Sequence, residues 1–326
     1  MDDSLKLMEK IFPNIEPLLS SLDKIFQEIM KNNQDKTKLI KIVEMLKKTG
    51  IEFIDKIPDD YFNEEERKML LNQPAEKLDE LFHSDVFIEE TDKKIIEMVI
   101  AARESISTIG KIGSKSIRIE NFYHKDNHEK SLSLIEIILS SLHDIGMCAV
   151  QQRFDNIAVH VLITIQKISN NTLFDINDYE FYKIEEICMG AISYNLESTL
   201  EECANILQGI ASNALDTGND TLLKKIFSLY KKIGINAIEK NMDKKMKIFD
   251  YMKGFFLRVS FKGFNNEIFL SYDTFIKLAK ENNLNEIIYM IGEHLDEIRF
   301  EAEKENNIIV TRKIDNLLNK YKILNL

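Results

Sequence analysis

Large apolar side chains recur along the chain at offsets of three, four, seven and eight residues. The stretch Leu142-x-x-Ile145-Gly146-x-x-Ala149-Val150 has counterparts in Ile109-x-x-Ile112-Gly113-x-x-Ser116-Ile117 and Ile184-x-x-Ile187-Cys188-x-x-Ala191-Ile192. Two more are Leu207-x-x-Ile210-Ala211-x-x-Ala214-Leu215 and Tyr230-x-x-Ile233-Gly234-x-x-Ala237-Ile238. Such offsets trace one stripe along an α-helix. The first two positions supply bulk for burial. The fifth and eighth hold Gly, Ala, Ser or Cys, small enough to let a neighbouring helix come close. Looser versions run over 162–170, 249–257, 272–280 and 295–303. The pattern predicts an all-α chain built from a succession of amphipathic helices.

The eighth-position residues are Ser116, Ala149, Ser169, Ala191, Ala214, Ala237, Phe256, Ala279 and Ala302, at steps of 33, 20, 22, 23, 23, 19, 23 and 23. A step of about 22 is one helix with a short turn, so a pair of helices takes about 44 residues, the period of HEAT and armadillo repeats. Tetratricopeptide and ankyrin periods are shorter. From about residue 92 onward the chain therefore resembles the HEAT/armadillo-like α-solenoid superfamily in period and pattern, without that superfamily's sharper signatures. The resemblance implies a right-handed α-solenoid of antiparallel helix pairs. Asp155, Asp220, Asp243 and Asn285 each follow a small anchor by six residues and are expected as N-caps,. Asn-rich breaks at 264–267, 281–286 and 305–308 read as helix ends.

Residues 1–90 lack the motif. They read as an N-terminal helical cap or small bundle before a repeat array over 91–326. Helices are expected from about Ile15 to Lys31 and from Lys36 to about Lys56. Asn63 and Glu66 form a capping box, and Pro74 opens a helix reaching about Phe82,. Such a cap would shield the first repeat's apolar face, as solenoids require.

Composition agrees with long helices: 326 residues hold only 4 prolines and 11 glycines, too few for a sandwich or barrel of this size,. The formal charge of −11 is uneven: residues 51–100 carry 15 acidic against 6 basic side chains, and 131–200 carry 9 against 3. An acidic chain repels phosphate backbones, which disfavours nucleic acid and favours a basic protein or peptide partner. Lys111, Lys115 and Arg118 share one helix face and form the one candidate phosphate stripe. Cys148, Cys188 and Cys203 are scattered in apolar patterns without metal spacing, as expected of buried thiols in a reducing cytoplasm,. The acidic start "MDDSLKLMEK" is unlike a signal peptide, and no run is apolar enough to span a membrane,.

Candidate chemistry is sparse. Leu142-His143-Asp144-Ile145-Gly146 resembles the core of HD-type metal phosphohydrolases, where an adjacent His-Asp pair ligates a metal. Within the repeat, however, His143 and Asp144 fill the gap between two stripe residues, which predicts a solvated face. His124 and His128 lie upstream, but a cap at Asp126 with Glu129 places them off a common helix face. His83, His160 and His294 stand alone, and no metal or cofactor is expected. Residues 169–183 depart from the short-turn rule; their Phe174, Tyr179, Phe181 and Tyr182 among acidic residues are candidate partner anchors,. The leading expectation is a non-enzymatic interaction scaffold or adaptor. The alternatives are an HD-type phosphohydrolase using His143 and Asp144, and a HEAT-like nucleic-acid-associated protein.

Overall fold

The helical periodicity is realised in a computed structural model that describes residues 37–55, 90–123, 132–170, 177–260 and 262–323. Every regular element among them is an α-helix apart from a short 3₁₀ end. The chain divides into two compact units, residues 1–199 and 200–326. The first holds α1 (Thr37–Asp55), α2 (Glu90–Tyr123), α3 (Leu132–Gln151), α4 (Asp155–Ser169) and α5 (Asn177–Tyr194). Helix α6 (Glu197–Thr217) starts at the end of this unit and runs into the second. There follow α7 (Asp220–Glu239), α8 (Lys245–Ser260), α9 (Asn265–Glu281), α10 (Asn285–Lys304) and α11 (Ile308–Tyr321). Helix α1 matches the element expected from Lys36. The other helices expected before residue 90, with the Asn63 capping box and Pro74, lie outside the described residues. The boundary expected at 90/91 meets the first residues of α2, and the residues before Glu90 lie outside the described ones.

Within each unit a helix packs against the next helix and the next but one. In the first unit α1 meets α2 and α3, α2 meets α3 and α4, and α3 meets α4 and α5. In the second, α7 meets α8 and α9, α8 meets α9 and α10, and α9 meets α10 and α11. The stripe residues make these contacts. Leu142, Ile145, Ala149 and Val150 are fully buried, as are Ile184, Ile187, Cys188 and Ala191. The small position is where two neighbours converge. A methyl at Gly146 would come within 2.9 Å of Ile187 Cδ1 on α5 and 3.0 Å of Val161 Cγ1 on α4. At Gly234 it would come within 2.7 Å of the Phe275 ring on α9. In three of the looser copies, by contrast, that position holds the half-buried Gln166, Lys253 and Arg299.

Polar ties join helices two apart at nearly constant sequence distance. Asp155 binds Thr199 across 44 residues, and Lys253 binds Glu297 across 44. Lys320 binds Asp273 across 47. The two-helix unit of about 44 residues is therefore also a unit of contact.

The turns carry the repeat in a form the sequence pattern did not anticipate. Arg153, Asn195, Gly218, Asn241, Gly263, Asn283 and Asn306 all have φ between 47° and 92°, the last five following Asn195 at steps of 23, 23, 22, 20 and 23. The next residue donates its N–H to the carbonyl five back: Phe154 to Ala149 at 2.7 Å, Leu196 to Ala191 at 3.0 Å, Leu284 to Ala279 at 2.8 Å. This is a Schellman closure, in which a left-handed residue ends the helix and the following side chain folds onto its last turn. Phe154, Leu196, Met242, Phe264 and Leu284 occupy that following position and are buried. The closure also corrects one register: Phe264 bonds to Val259, so Val259 is the anchor of α8 and the expected Phe256 is not.

The expected N-caps are corrected by the same geometry. Asp155, Asp220 and Asn285 are the first helical residues of α4, α7 and α10, and Asp243 lies in the turn before α8. The closure brings the chain round one residue sooner than a cap at those positions requires. True side-chain caps are Asn219, accepting from Leu222 N at 3.1 Å, and Asn307, accepting from Val310 N at 3.3 Å. Asp155 instead caps another helix. Its carboxylate accepts from the backbone N–H groups of Ser198 at 2.9 Å and Thr199 at 2.7 Å, opening α6.

Candidate functional site

His143 sits on the side of α3 that meets α5, only 8% exposed. The expected solvated face is therefore wrong for this residue, and the reason is the width of the packed arc. A helix that touches its neighbour and the next but one buries more than one stripe. The first gap position faces the helix two along: His143 meets Glu186 on α5, and a methyl at Gly110 on α2 would meet Thr164 on α4. The second gap position is the more open one, as Asp144 and the exposed Lys111 show.

The ring lies between two carboxylates. His143 Nε2 is 2.8 Å from Glu186 Oε2, and Nδ1 is 3.4 Å from Asp144 Oδ1, although the Glu186 contact is bent away from a straight hydrogen bond. Asp144 also binds Lys47 Nζ on α1 at 3.0 Å. Burial holds the His143 pKa below the usual histidine range, with the nearby Lys183 ammonium acting the same way and both carboxylates opposing it. As a metal site the arrangement fails on direction. A metal takes one ring nitrogen's lone pair, and the two carboxylates address opposite nitrogens. Among the described residues no three His, Cys, Asp or Glu side chains converge as metal ligands. His124 and His128 lie outside the described residues.

Four other ionisable groups packed inside the helices have displaced pKa values. Burial pushes the Cys148 thiol up to about 12, helped by its contact with Asp55. It holds His160 down at about 4, with Arg103 adding to the effect, although Ser107 Oγ lies 3.0 Å from its Nε2. His294, against the Tyr272 hydroxyl, is held down at about 3 by burial. Burial pushes Glu180 up to about 8 despite a hydrogen bond with Ser169. Nucleophilic or general-base work at neutral pH needs a pKa tuned towards 7 and access to substrate. Cys148, His160 and His294 lack the first, and Glu180 is only 4% exposed.

The candidate anchors separate. Phe174 lies outside the described residues. Phe181 is 1% exposed and belongs to the core, so it cannot reach a partner in the folded chain. Tyr179 is half-buried, its hydroxyl donating to the Glu136 carbonyl on α3 at 3.2 Å. Tyr182 is 53% exposed. Tyr182 does not stand alone. Residues 182, 185, 186, 189 and 193 share one face of α5, so Tyr182, Glu185, Glu186, Met189 and Ser193 form a row. Met189 and Tyr194 are 36% and 39% exposed. From Glu185 onward the row borders a shallow groove of about 520 Å³ between α3 and α5, floored by Met147, Val150 and Gly190. Gly190 sets the floor, since a methyl there would come 2.7 Å from Val150 Cγ1. Met189 and Tyr194, which the sequence reading does not single out, carry a visible signal: with Tyr182 they put apolar area on an outward helix face where charge alone would serve solubility.

Fold and groove together define the class: an all-helical repeat protein with a bordered groove on one helix pair. No protein-family model matches the chain, and no curated protein matches it. Among solved structures, a circular tandem repeat protein with novel repeat topology and enhanced subunit contact surfaces is similar over 94% of this chain and 70% of that chain. Its identity is 14% and its TM-score 0.33, a likeness from which neither fold nor function is taken.

Proposed function

We propose that the chain is a right-handed α-solenoid of antiparallel helix pairs acting as a non-enzymatic interaction scaffold or adaptor, with a basic protein or peptide as partner. One observation carries this reading. Among the described residues the main helix contacts within each unit join a helix to the next and the next but one, and the polar ties repeat at the two-helix distance. Arrays of this kind spend sequence on stacking and leave extended surfaces for recognition. The net charge of −11 favours a cationic partner,. The nucleic-acid alternative has weaker support: Lys111 is exposed and Lys115 half-buried, while the side chain of Arg118 is outside the described residues.

Quantitative affinity isolation from the native cell tests the proposal. A stoichiometric protein partner released by salt is the expected outcome. Recovery of nucleic acid alone, or of nothing stoichiometric, overturns it. Elemental analysis of the same preparation addresses the phosphohydrolase alternative. A bound transition metal that disappears in His143→Ala would replace the scaffold reading.

A further inference from the structure

We propose that the groove between α3 and α5 is a docking site for a basic amphipathic helix of a partner protein, with its apolar side chains on Met147, Met189 and Tyr194 and its cations on Glu185. This rests on the scaffold reading and assigns it a place and a chemistry.

The apolar half of the site is continuous. Tyr194 and Met189 line it from α5 and are partly exposed, Met147 faces them from α3, and the exposed Tyr182 precedes the lining residues Glu185 and Glu186 on the same helix. Methionine side chains adapt to the shape of what they cover, and tyrosine offers area with little entropy to lose. From residue 182 to 194 the row runs about 18 Å at the helical rise, matching about three turns of a helical ligand. Helix-in-groove recognition places anchors at i, i+3 or i+4 and i+7, a spacing this length accommodates.

The polar half sets the sign of the partner. The described side chains of α3 and α5 present Glu136, Asp144, Asp178, Glu185 and Glu186 against a single lysine, Lys183. Asp144 is paired with Lys47 and Glu186 lies against the His143 ring, whereas Glu185 has no ion-pair partner among the described residues. A half-buried carboxylate beside an apolar floor attracts a cation more strongly than one surrounded by water. The two aromatic ends are already touched by cations of this chain. Lys183 lies 5.7 Å from the Tyr182 ring centre and Arg153 5.7 Å from that of Tyr194. Those rings accept positive charge, and the middle of the row is where a partner's cation meets a carboxylate.

Other occupants fit less well. Nucleic acid and anionic membrane surfaces would meet the same carboxylates with like charge. A second copy of a chain carrying −11 brings net repulsion of its own,. Helix α10 also exposes Tyr289 and Phe300, but Lys304 covers the Phe300 ring at 4.1 Å. It therefore serves as the internal control.

The test uses the full chain and a fluorescein-labelled amphipathic peptide of about sixteen residues, Leu and Phe on one face and Lys on its flanks, read by anisotropy. A charge-inverted peptide with Glu for Lys is the control ligand. Binding of the basic peptide is expected, weakened at least about tenfold by Glu185→Lys and several-fold by Tyr182→Ala, and relieved by salt. Glu293→Lys and Tyr289→Ala on α10 should leave it unchanged. In protein labelled with ¹³C at the methionine methyl groups, the Met147 and Met189 signals should shift while Met252 and Met290 stay. Equal binding of both peptides, equal binding by Glu185→Lys, shifts confined to Met252 and Met290, or no binding at all would each overturn the groove. A salt-sensitive partner recovered by affinity isolation would in that case leave the scaffold reading standing. Variants are compared only after their circular dichroism and melting match the parent chain.

Discussion

Replacing Asp155 tests the link between helices two apart most directly. Its Oδ1 accepts from Thr199 N at 2.7 Å and from Thr199 Oγ1 at 2.6 Å, and its Oδ2 accepts from Ser198 N at 2.9 Å. Hydrogen bonds to an ionised group contribute about 1.5–3 kcal/mol each, and losing an N-cap costs about 1 kcal/mol. The three bonds share one carboxylate and are not additive, so Asp155→Ala is expected to cost about 3 kcal/mol. Part of that, about 0.3–1 kcal/mol, belongs to the acidic side chain at the start of its own helix. Asp155→Asn keeps one acceptor for Thr199 but turns an amide towards Ser198 N–H, so it should fall between the two. The assay is amide hydrogen exchange over the peptide spanning residues 195–201, where Ser198 and Thr199 report the local opening free energy. Urea unfolding of Asp155→Ala, Thr199→Val and the double variant supplies the coupling, expected near 1 kcal/mol for the hydroxyl alone. Unchanged exchange in Asp155→Ala, or a coupling below about 0.3 kcal/mol, would refute this role for the carboxylate.

Further expectations follow from packing, turn geometry and burial. Gly234→Ala places a methyl 2.7 Å from the rigid Phe275 ring, whereas the exposed Gly209 has nothing within 4 Å. The first should lower the urea midpoint by the equivalent of about 1–2 kcal/mol and Gly209→Ala should raise it by up to about 1 kcal/mol, with opposite signs as the decisive result. Arg153→Gly, at a φ of 59°, should raise the melting temperature by relieving about 1 kcal/mol of left-handed strain, and a fall would show that the Tyr194 contact outweighs it,. Glu180 has a folded pKa of about 8 against an ordinary 4.5, so the folded state binds the extra proton. Stability from this group is full below 4.5 and is lost as pH rises through 8, with a slope approaching about 1.4 kcal/mol per unit. Glu180→Gln should flatten that part of the stability profile, and an unchanged slope would show that the carboxyl is solvated.

The helices and their buried stripe were legible because burial on one side leaves a period that survives without any knowledge of the neighbours. Gly146 and Gly234 were visible as small residues for the same reason. What they touch is not visible there, since Ile187 and Phe275 each lie two helices further along. Asp155 and Asn285 are good N-cap residues by type, and type alone does not reveal that Arg153 and Asn283 have already turned the chain. One stripe gives the direction of burial but not its width, which is why the pattern alone puts His143 on a solvated face. Phe181 and Tyr182 are adjacent in sequence and opposite in fate. The helical register that separates them depends on where α5 begins, and the sequence of 169–183 does not follow the short-turn spacing that would fix that start.

The same width of burial explains where a binding function has to be written. A helix contacting two neighbours on either side gives most of its circumference to the array, and only a narrow outward row is free to vary without unfolding it. On α7 the outward residues Lys224, Lys225, Ser228 and Lys232 are polar and exposed, which is what solubility alone would select. On α5 the corresponding freedom is used for Tyr182, Met189 and Tyr194. Exposed apolar area brings an aggregation liability and contributes nothing to stacking. The stack does not need these three residues exposed, and Gly190 lowers the floor beside them where an alanine would meet Val150. A partner that covers the row accounts for both features at once, and loss of peptide binding in Glu185→Lys with folding intact is the measurement that separates recognition from packing.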